Sequence, residues 1–120
     1  IHPATRVFQA LRIEVNGELE AIEEGLVAGF DVLAPQGVMM TISFHSLEDR
    51  LAKTFFRRMK DGCLCGMDPG HCMCSNGAFA ELLTKKPITP QPDEVEWNSR
   101  SRSARLRAMV KLKDIPAGKR

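Results

Sequence analysis

The stretch Gly37-Val38-Met39-Met40-Thr41-Ile42-Ser43-Phe44-His45-Ser46-Leu47-Glu48-Asp49-Arg50 decides the fold of this chain. Its first half is a near-continuous apolar run, which is typical of a strand covered on both faces. Its second half opens an amphipathic helix, because Leu51, Phe55 and Met59 recur at helical spacing. The stretch therefore predicts a buried central strand that turns into a helix, which is where ligands bind in open α/β sheets.

Two predicted helices precede this strand. The first covers residues 3–15, and Asn16-Gly17 breaks it from a second over residues 18–33. Pro35-Gln36-Gly37 ends the second helix. Each has an apolar stripe: Val7, Phe8, Leu11 and Val15 in the first, and Leu19, Ile22, Leu26, Phe30 and Leu33 in the second.

Two further strands follow the central helix, for which we expect Ser46 as the N-cap with Asp49 three residues later. Residues 78–84 form a short candidate strand, and residues 104–112 alternate so that only one face is fully apolar. Three prolines keep residues 85–92 extended between them. A central strand needs neighbours on both sides, so part of the sheet is expected to lie outside this chain.

Composition agrees with one soluble globular domain, since 43% of the 120 residues are hydrophobic and 27% are charged. The chain lacks an apolar run of about 18 residues and a signal-peptide pattern at Ile1-His2-Pro3. We therefore expect a cytoplasmic protein without a membrane anchor. The absence of an initiator methionine at Ile1 suggests a fragment.

Positive charge is concentrated at the end of the chain. Residues 98–120 hold eight Lys/Arg and one acid, a net charge of about +7, although the whole chain carries only +2. Such a segment attracts RNA, DNA or an acidic membrane surface. The alternative is a merely solvated terminal segment.

Guanidinium and ammonium groups near this segment are candidate phosphate contacts, helped by hydroxyls of Ser99, Ser101 and Ser103. A charged edge strand that deters aggregation is the alternative interpretation. The candidates are Lys85, Lys86, Arg100, Arg102, Arg105 and Arg107.

Four cysteines lie within a Cys-rich loop over residues 61–77. Cys63 and Cys65 are separated by six residues from Cys72 and Cys74. Four thiolates suit tetrahedral zinc, but a single residue between paired cysteines is unusual for a zinc site. Free thiols are the alternative. Zinc binding together with the basic tail would make a zinc-stabilised RNA-binding module without catalytic activity.

The only tryptophan, Trp97, lies just before the basic segment. It would either stack on a flipped or single-stranded base, as aromatic side chains do in RNA recognition, or pack in the core or on the surface. Packing is the more common role of such a residue.

Four motifs in this order resemble one family closely, the bacterial ribosomal small-subunit (16S) RNA cytosine-N4 methyltransferases. They cover almost the whole chain, so a chance match is excluded. The motifs are His2-Pro3-Ala4-Thr5-Arg6-Val7-Phe8-Gln9-Ala10-Leu11-Arg12-Ile13, SFHSLEDR at residues 43–50, Lys86-Pro87-Ile88-Thr89-Pro90, and NSRSRSARLR at residues 98–107.

The resemblance implies an α/β fold, in which residues 1–120 form the C-terminal half of a Rossmann-like class I methyltransferase sheet. It assigns residues 38–44 to the fifth strand, 78–84 to the sixth and 104–112 to an antiparallel strand between them. The family's glycine-rich S-adenosylmethionine loop and inserted helical domain are absent from these residues. We therefore expect this fragment alone neither to bind the cofactor firmly nor to transfer methyl groups.

For the whole enzyme the resemblance implies methylation of the exocyclic N4 of a cytidine in 16S ribosomal RNA. His45, Glu48 and Asp49 are the catalytic candidates in this chain, because such residues hold or remove protons. Ser43, Ser46 and Arg50 join the basic residues as RNA-binding candidates. Helix capping by the two acids and a structural hydrogen bond from His45 are the alternatives. A serine hydrolase is disfavoured, because neither serine lies between a glycine pair.

Overall fold

The computed structural model of the protein describes residues 2–65 and 76–116. The three predicted helices and three predicted strands are present, and the short helix α4 was not predicted. In chain order the elements are α1 (Ala4–Asn16), α2 (Glu18–Val32), β1 (Val38–Ser43), α3 (Ser46–Asp61), β2 (Ala80–Leu82), α4 (Pro92–Trp97), a 3-10 turn (Ser99–Ser101) and β3 (Arg105–Lys111). No helix among the described residues combines the length and apolar character that crossing a membrane requires.

The strands form one sheet in the order β1-β3-β2, and β3 is antiparallel to both neighbours. The expectation of an antiparallel strand between the other two is confirmed. The interpretation of β3 as a charged edge strand is wrong, because β3 has a hydrogen-bonded partner on each side. In the proline-rich connection, Ile88 exchanges two backbone hydrogen bonds with Leu106 of β3, as an extended residue does, whereas Pro92, predicted to be extended, begins α4.

The strand β1 lies at the edge of this sheet, with one open face. Val38, Met40 and Ile42 are 46%, 64% and 58% exposed, whereas Ser43 on the opposite face is buried. Within the described residues β1 is thus neither central nor covered on both faces, and the central strand, whose further neighbours were expected outside this chain, stays a prediction. The chain supplies helices to one face of β1 and a strand to one edge, and no described residue pairs with the other edge.

The hydrophobic core lies between the sheet and the helices α2 and α3. Four of its side chains are almost completely removed from solvent: Phe30 of α2, Phe56 of α3, Met109 of β3, and Phe79 just before β2. Phe30 and Phe55 meet edge to face, with ring centroids 6.0 Å apart. Burying these aromatic side chains is the main contribution of the described chain to holding α2 and α3 on the sheet.

The face of β3 that points into this core carries charged residues. Arg107 and Lys111 are buried beside Met109, whereas Leu106 and Val110 lie opposite Ile42 and Val38 on the open face. Lys111 Nζ donates to the carbonyl oxygens of Phe30 and Leu33, both at 2.7 Å, and lies 2.7 Å from Asp114 Oδ1. These partners satisfy the buried ammonium group and the carbonyls at the end of α2.

Two glycines with positive φ end helices. Gly17 (φ 58°) breaks α1 from α2, as predicted from Asn16-Gly17. Gly62 (φ 69°) ends α3, and its amide donates to the carbonyl of Arg58. A β-carbon at Gly62 would collide with the backbone of Gly77, so this position requires glycine for space as well as for conformation.

Candidate functional site

A cavity of about 560 Å³ opens where β1 ends and α3 begins. Phe44, His45 and Ser46 form the wall that follows β1, and Arg102 and Arg105 come from the segment that leads into β3. Three further lining residues come from α1 and the proline-rich connection: Thr5, Gln9 and Thr89. Each of the four family motifs therefore contributes to a single cavity, which we call the strand-end pocket.

His45 is the N-cap of α3. Its backbone is extended (φ −146°, ψ 166°), and its Nδ1 accepts a hydrogen bond from the amide of Glu48 at 3.3 Å. The expected cap, Ser46, is instead the first residue of the helix. That prediction is wrong because an imidazole on an extended residue reaches the third amide of the helix, so Ser46 is not needed as the cap.

The other ring nitrogen of His45 approaches the side chain of Glu48. Nε2 lies 2.7 Å from Glu48 Oε1, and the two side chains are 11% and 24% exposed. Within residues 2–65 and 76–116, however, Nε2 has no partner with hydrogen-bond geometry. Because Nδ1 accepts from the helix, the proton of a neutral His45 ring belongs on Nε2, which is close to the carboxylate but not aligned with it. His45 and Glu48 therefore form a close pair at the start of α3.

Asp49 is turned away from this pair and towards β3. Its carboxylate accepts two parallel hydrogen bonds from Arg107, Nε to Oδ1 at 2.7 Å and Nη2 to Oδ2 at 3.0 Å, and a longer one of 3.4 Å from Arg105 Nη1. The hydrogen bonds from Arg107 lower the pKa of Asp49 below its ordinary value, against the opposing effect of burial. Asp49 is therefore an ionised carboxylate that holds two arginines in place.

The basic candidates fall into different environments. Arg102 and Arg105 line the strand-end pocket, and the side chain of Arg105 is 50% exposed. Arg107 is buried on Asp49, and together with Lys85 it lines a smaller cavity between α3 and β2. The remaining basic candidates are on the exposed surface: Arg50, Lys86 and Arg100.

The two serine candidates also differ. Ser46 is exposed at the strand-end pocket. Ser43 is buried and lines a separate cavity of about 300 Å³ beside the outer edge of β1, together with Thr41 and Glu48. Glu48, whose carboxylate contacts His45, therefore lines this second cavity, next to the edge of β1 that has no partner among the described residues.

Residue-by-residue reasoning from the sequence missed Thr5, Gln9 and Thr89. All three lie within motifs that carry the family resemblance, and that was the available signal. Their distance from His45 along the chain concealed the shared cavity. Trp97 was expected to pack in the core or on the surface; packing in the core is wrong, because the residue is 76% exposed.

The predicted zinc ligands are only partly described. Cys63 Sγ lies 3.4 Å from Cys65 Sγ, whereas Cys72 and Cys74 fall outside the described residues. The part of the chain that the structure describes contains no cluster of three or more His, Cys, Asp or Glu side chains that could hold a metal ion. Zinc binding stays a prediction.

Comparison with known proteins gives a consistent result. Residues 1–112 match the MraW methylase family. The chain is 53% identical over 111 residues to the ribosomal RNA small subunit methyltransferase H of Carboxydothermus hydrogenoformans, which covers 92% of this chain and 36% of that protein. It is 53% identical over 112 residues to the protein of the same name from Thermomicrobium roseum, covering 93% of this chain and 34% of that protein.

A family match over most of its length places this chain among the methyltransferases, and the chain belongs to the MraW methylase family. S-adenosylmethionine is the methyl donor that membership of this family implies. The chain spans about a third of the length of the two relatives.

Proposed function

We propose that the full-length protein methylates the exocyclic N4 of a cytidine in 16S ribosomal RNA, in the cytoplasm, with S-adenosylmethionine as the donor. The single observation that carries the proposal is the convergence of all four motifs on the strand-end pocket. The relatives from Carboxydothermus hydrogenoformans and Thermomicrobium roseum are ribosomal RNA small subunit methyltransferases, which supports the substrate class.

The strand-end pocket has the chemistry to hold a nucleotide. Phe44, 52% exposed, offers an aromatic surface for a base, and the side chains of Gln9 and Thr89 offer hydrogen bonds to base edges. Arg102 and Arg105 supply the positive charge that attracts a phosphate. An enzyme that acts on a base atom takes that base out of its stack, and we propose that this pocket receives the cytosine.

The reaction itself depends mainly on alignment, because the amine must attack the methyl group in line and later lose one proton. The amine lone pair is conjugated into the ring, so an acceptor for its hydrogens favours the reactive geometry. We propose Glu48 as that acceptor: it lines the neighbouring cavity beside β1 and contacts His45 at the strand-end pocket, so the amine would reach its carboxylate past the His45 ring. His45 would help to hold Glu48 in place, because its Nδ1 is occupied by the helix and its Nε2 lies 2.7 Å from the carboxylate.

Asp49 has a different role in this proposal. Its two oxygens are occupied by arginines, so it is poorly suited to take a substrate proton. It instead sets the position of Arg105 at the strand-end pocket. Asp49 is thus a positioning residue in the proposed enzyme.

Outside the Cys-rich loop, the described residues do not fit the cofactor. Gly25 and Gly29 lie within α2 and not at the end of a strand, where a glycine-rich turn would hold an adenosyl group. We therefore place cofactor binding in the part of the protein that the relatives possess and this chain does not span.

The open side of the sheet also indicates that the methyltransferase domain is completed by residues outside this chain. Val38, Met40 and Ile42 expose an apolar surface next to an edge without a strand partner among the described residues. An isolated domain seldom leaves an apolar strand open in this way. We propose that the rest of the methyltransferase sheet covers this face and extends the edge of β1.

The test uses the full-length protein and the isolated chain in parallel. We expect the full-length protein to form N4-methylcytidine in small-subunit RNA, measured by mass spectrometry of RNA digests, and Glu48→Gln to lower kcat. In isothermal titration we expect no S-adenosylmethionine binding by the isolated chain. Methylation at another atom would refute the assigned reaction, and micromolar cofactor binding by the isolated chain would refute the assigned division of labour.

A second candidate, a zinc-stabilised RNA-binding module, is favoured only by the Cys63 and Cys65 sulfurs, which lie 3.4 Å apart. Thiolates that share a metal ion must approach each other closely. Metal analysis of protein purified without added zinc tests this candidate. One zinc per chain together with tight RNA binding by the isolated chain would favour it over a purely catalytic role.

A further inference from the structure

A second basic site lies between α3 and β2. The cavity holds about 70 Å³, and its rim carries the side chains of Lys53 and Arg57 from α3 and Lys85 from the segment after β2. Phe56 and Leu82 form its apolar floor. We call this site the α3 groove. Neither Lys53 nor Arg57 was among the RNA-binding candidates from the sequence, because they belong to none of the four motifs.

The described residues supply no counter-charge to the three cations on this rim. None of them lies within ion-pair distance of an acid in the described residues, and all three are exposed. Lys53 and Arg57 are four residues apart on one helix, where like charges destabilise by about 0.2–0.5 kcal/mol. Lys85 adds a third positive charge from a different segment. Such a convergence is favourable only when an anion occupies the site.

The groove is connected to the strand-end pocket through one carboxylate. Asp49 binds Arg107, which lines the α3 groove, and also Arg105, which lines the strand-end pocket. Lys53 and Arg57 follow Ser46 by seven and eleven residues on α3, which is roughly 10–16 Å at about 1.5 Å per residue. A nucleic-acid strand with a rise of about 3.4 Å per nucleotide covers that distance in roughly three to five nucleotides.

We propose that the α3 groove binds the phosphate backbone of the RNA substrate a few nucleotides away from the target cytidine. The proposal rests on the proposed function and adds a second contact surface to it. RNA backbone is favoured over an acidic protein because the rim consists of long, flexible cations. A protein interface is typically centred on exposed aromatic or apolar anchors, and the apolar floor here is small and recessed.

The experiment compares two double variants of the full-length protein, Lys53→Gln/Arg57→Gln and Arg58→Gln/Lys60→Gln. Both remove two positive charges from exposed positions on α3, but only the first pair lies on the groove. Binding to small-subunit RNA is measured over a range of salt concentrations. We expect the groove variant to lower the slope of log affinity against log salt by about 1.4, since each single-strand phosphate contact contributes about 0.7. The control should keep the wild-type slope.

Steady-state kinetics and thermal unfolding complete the test. We expect the groove variant to raise KM for RNA, to keep kcat and to melt like the control. Equal slopes for the two variants would overturn the α3 groove proposal. The proposed function would still stand in that case, provided that the wild type methylates the RNA. A loss of binding to the assembled subunit but not to protein-free RNA also overturns it, because the partner would then be a ribosomal protein.

Discussion

Asp49 of α3 and Arg107 of β3 form a buried, two-pronged ion pair, with N–O distances of 2.7 and 3.0 Å between residues 58 apart in sequence. This pair attaches the first turn of α3 to the middle strand of the sheet. It also lies between the two basic cavities, because Arg105 of the strand-end pocket donates to the same carboxylate as Arg107 of the α3 groove. The geometry of both candidate RNA contacts thus depends on one acidic side chain.

Replacing Asp49 should therefore destabilise the protein strongly. In Asp49→Asn the buried guanidinium of Arg107 loses its ionised partner. Removing one partner of a buried ion pair lowers the free energy of unfolding by about 3–5 kcal/mol. Urea denaturation of the full-length protein measures the loss. Asp61→Asn, at the exposed end of α3, serves as the matched control. Equal stability of the two variants would show that the pair contributes little.

The same ion pair predicts a pH dependence. Because Arg107 lowers the pKa of Asp49 from 3.8, the folded state holds this proton less tightly than the unfolded state. The stabilisation is thus complete above the unfolded pKa and is lost as pH falls through the folded pKa. We expect the stability of the wild type to fall more steeply below pH 3.8 than that of Asp49→Asn, as measured by denaturation between neutral and acidic pH. Parallel curves would contradict this assignment.

His45 should have separable effects on stability and activity. His45→Ala removes the cap of α3 and is expected to cost about 1 kcal/mol, whereas His45→Asn retains a good capping residue and should cost much less. Turnover should fall in both variants, because neither side chain can hold Glu48 as the imidazole does. Ser46→Ala should leave stability nearly unchanged, since Ser46 does not cap the helix. Full turnover in His45→Asn would rule out a positioning role for the ring.

Lys111 is predicted to be a stabilising residue despite its charge. Lys111→Met removes the ammonium donor from both carbonyls; that of Phe30 keeps the amide of Leu33, but that of Leu33 loses its donor, at a cost of about 1–3 kcal/mol. Lys86→Met, at an exposed position, is the control and should change the free energy of unfolding by less than about 0.5 kcal/mol. If Lys111→Met were as stable as the control, solvent would have to reach those carbonyls.

The two glycines that end helices with positive φ, Gly17 and Gly62, should tolerate alanine differently. At Gly17 a β-carbon would meet only the flexible end of Glu20 at 3.8 Å, so Gly17→Ala should cost about 1 kcal/mol from conformation alone. At Gly62 the added carbon would strike the backbone of Gly77, so Gly62→Ala should cost distinctly more. Thermal unfolding of the two variants side by side checks the order, and the reverse order would contradict the close approach.

Much of the candidate site was accessible from sequence because it lies in local motifs. His45, Ser46, Arg102 and Arg105 were all identified and line the strand-end pocket. Thr5 and Thr89 were not, because their contribution depends on how distant segments meet. The same limit concealed the α3 groove, whose cations come from a helix and from the segment after a strand.

The amino-acid pattern alone determined the order of helices and strands and the family, because periodicity and short motifs are properties of neighbouring residues. Tertiary structure decided which faces are inside. The alternation in β3 distinguishes an apolar from a charged face, yet the charged face is the one that points into the core of the described chain. The physical reason is that Arg107 and Lys111 can be buried only where Asp49, Asp114 and the end of α2 offset the loss of hydration. Those partners are brought together only by the folded chain.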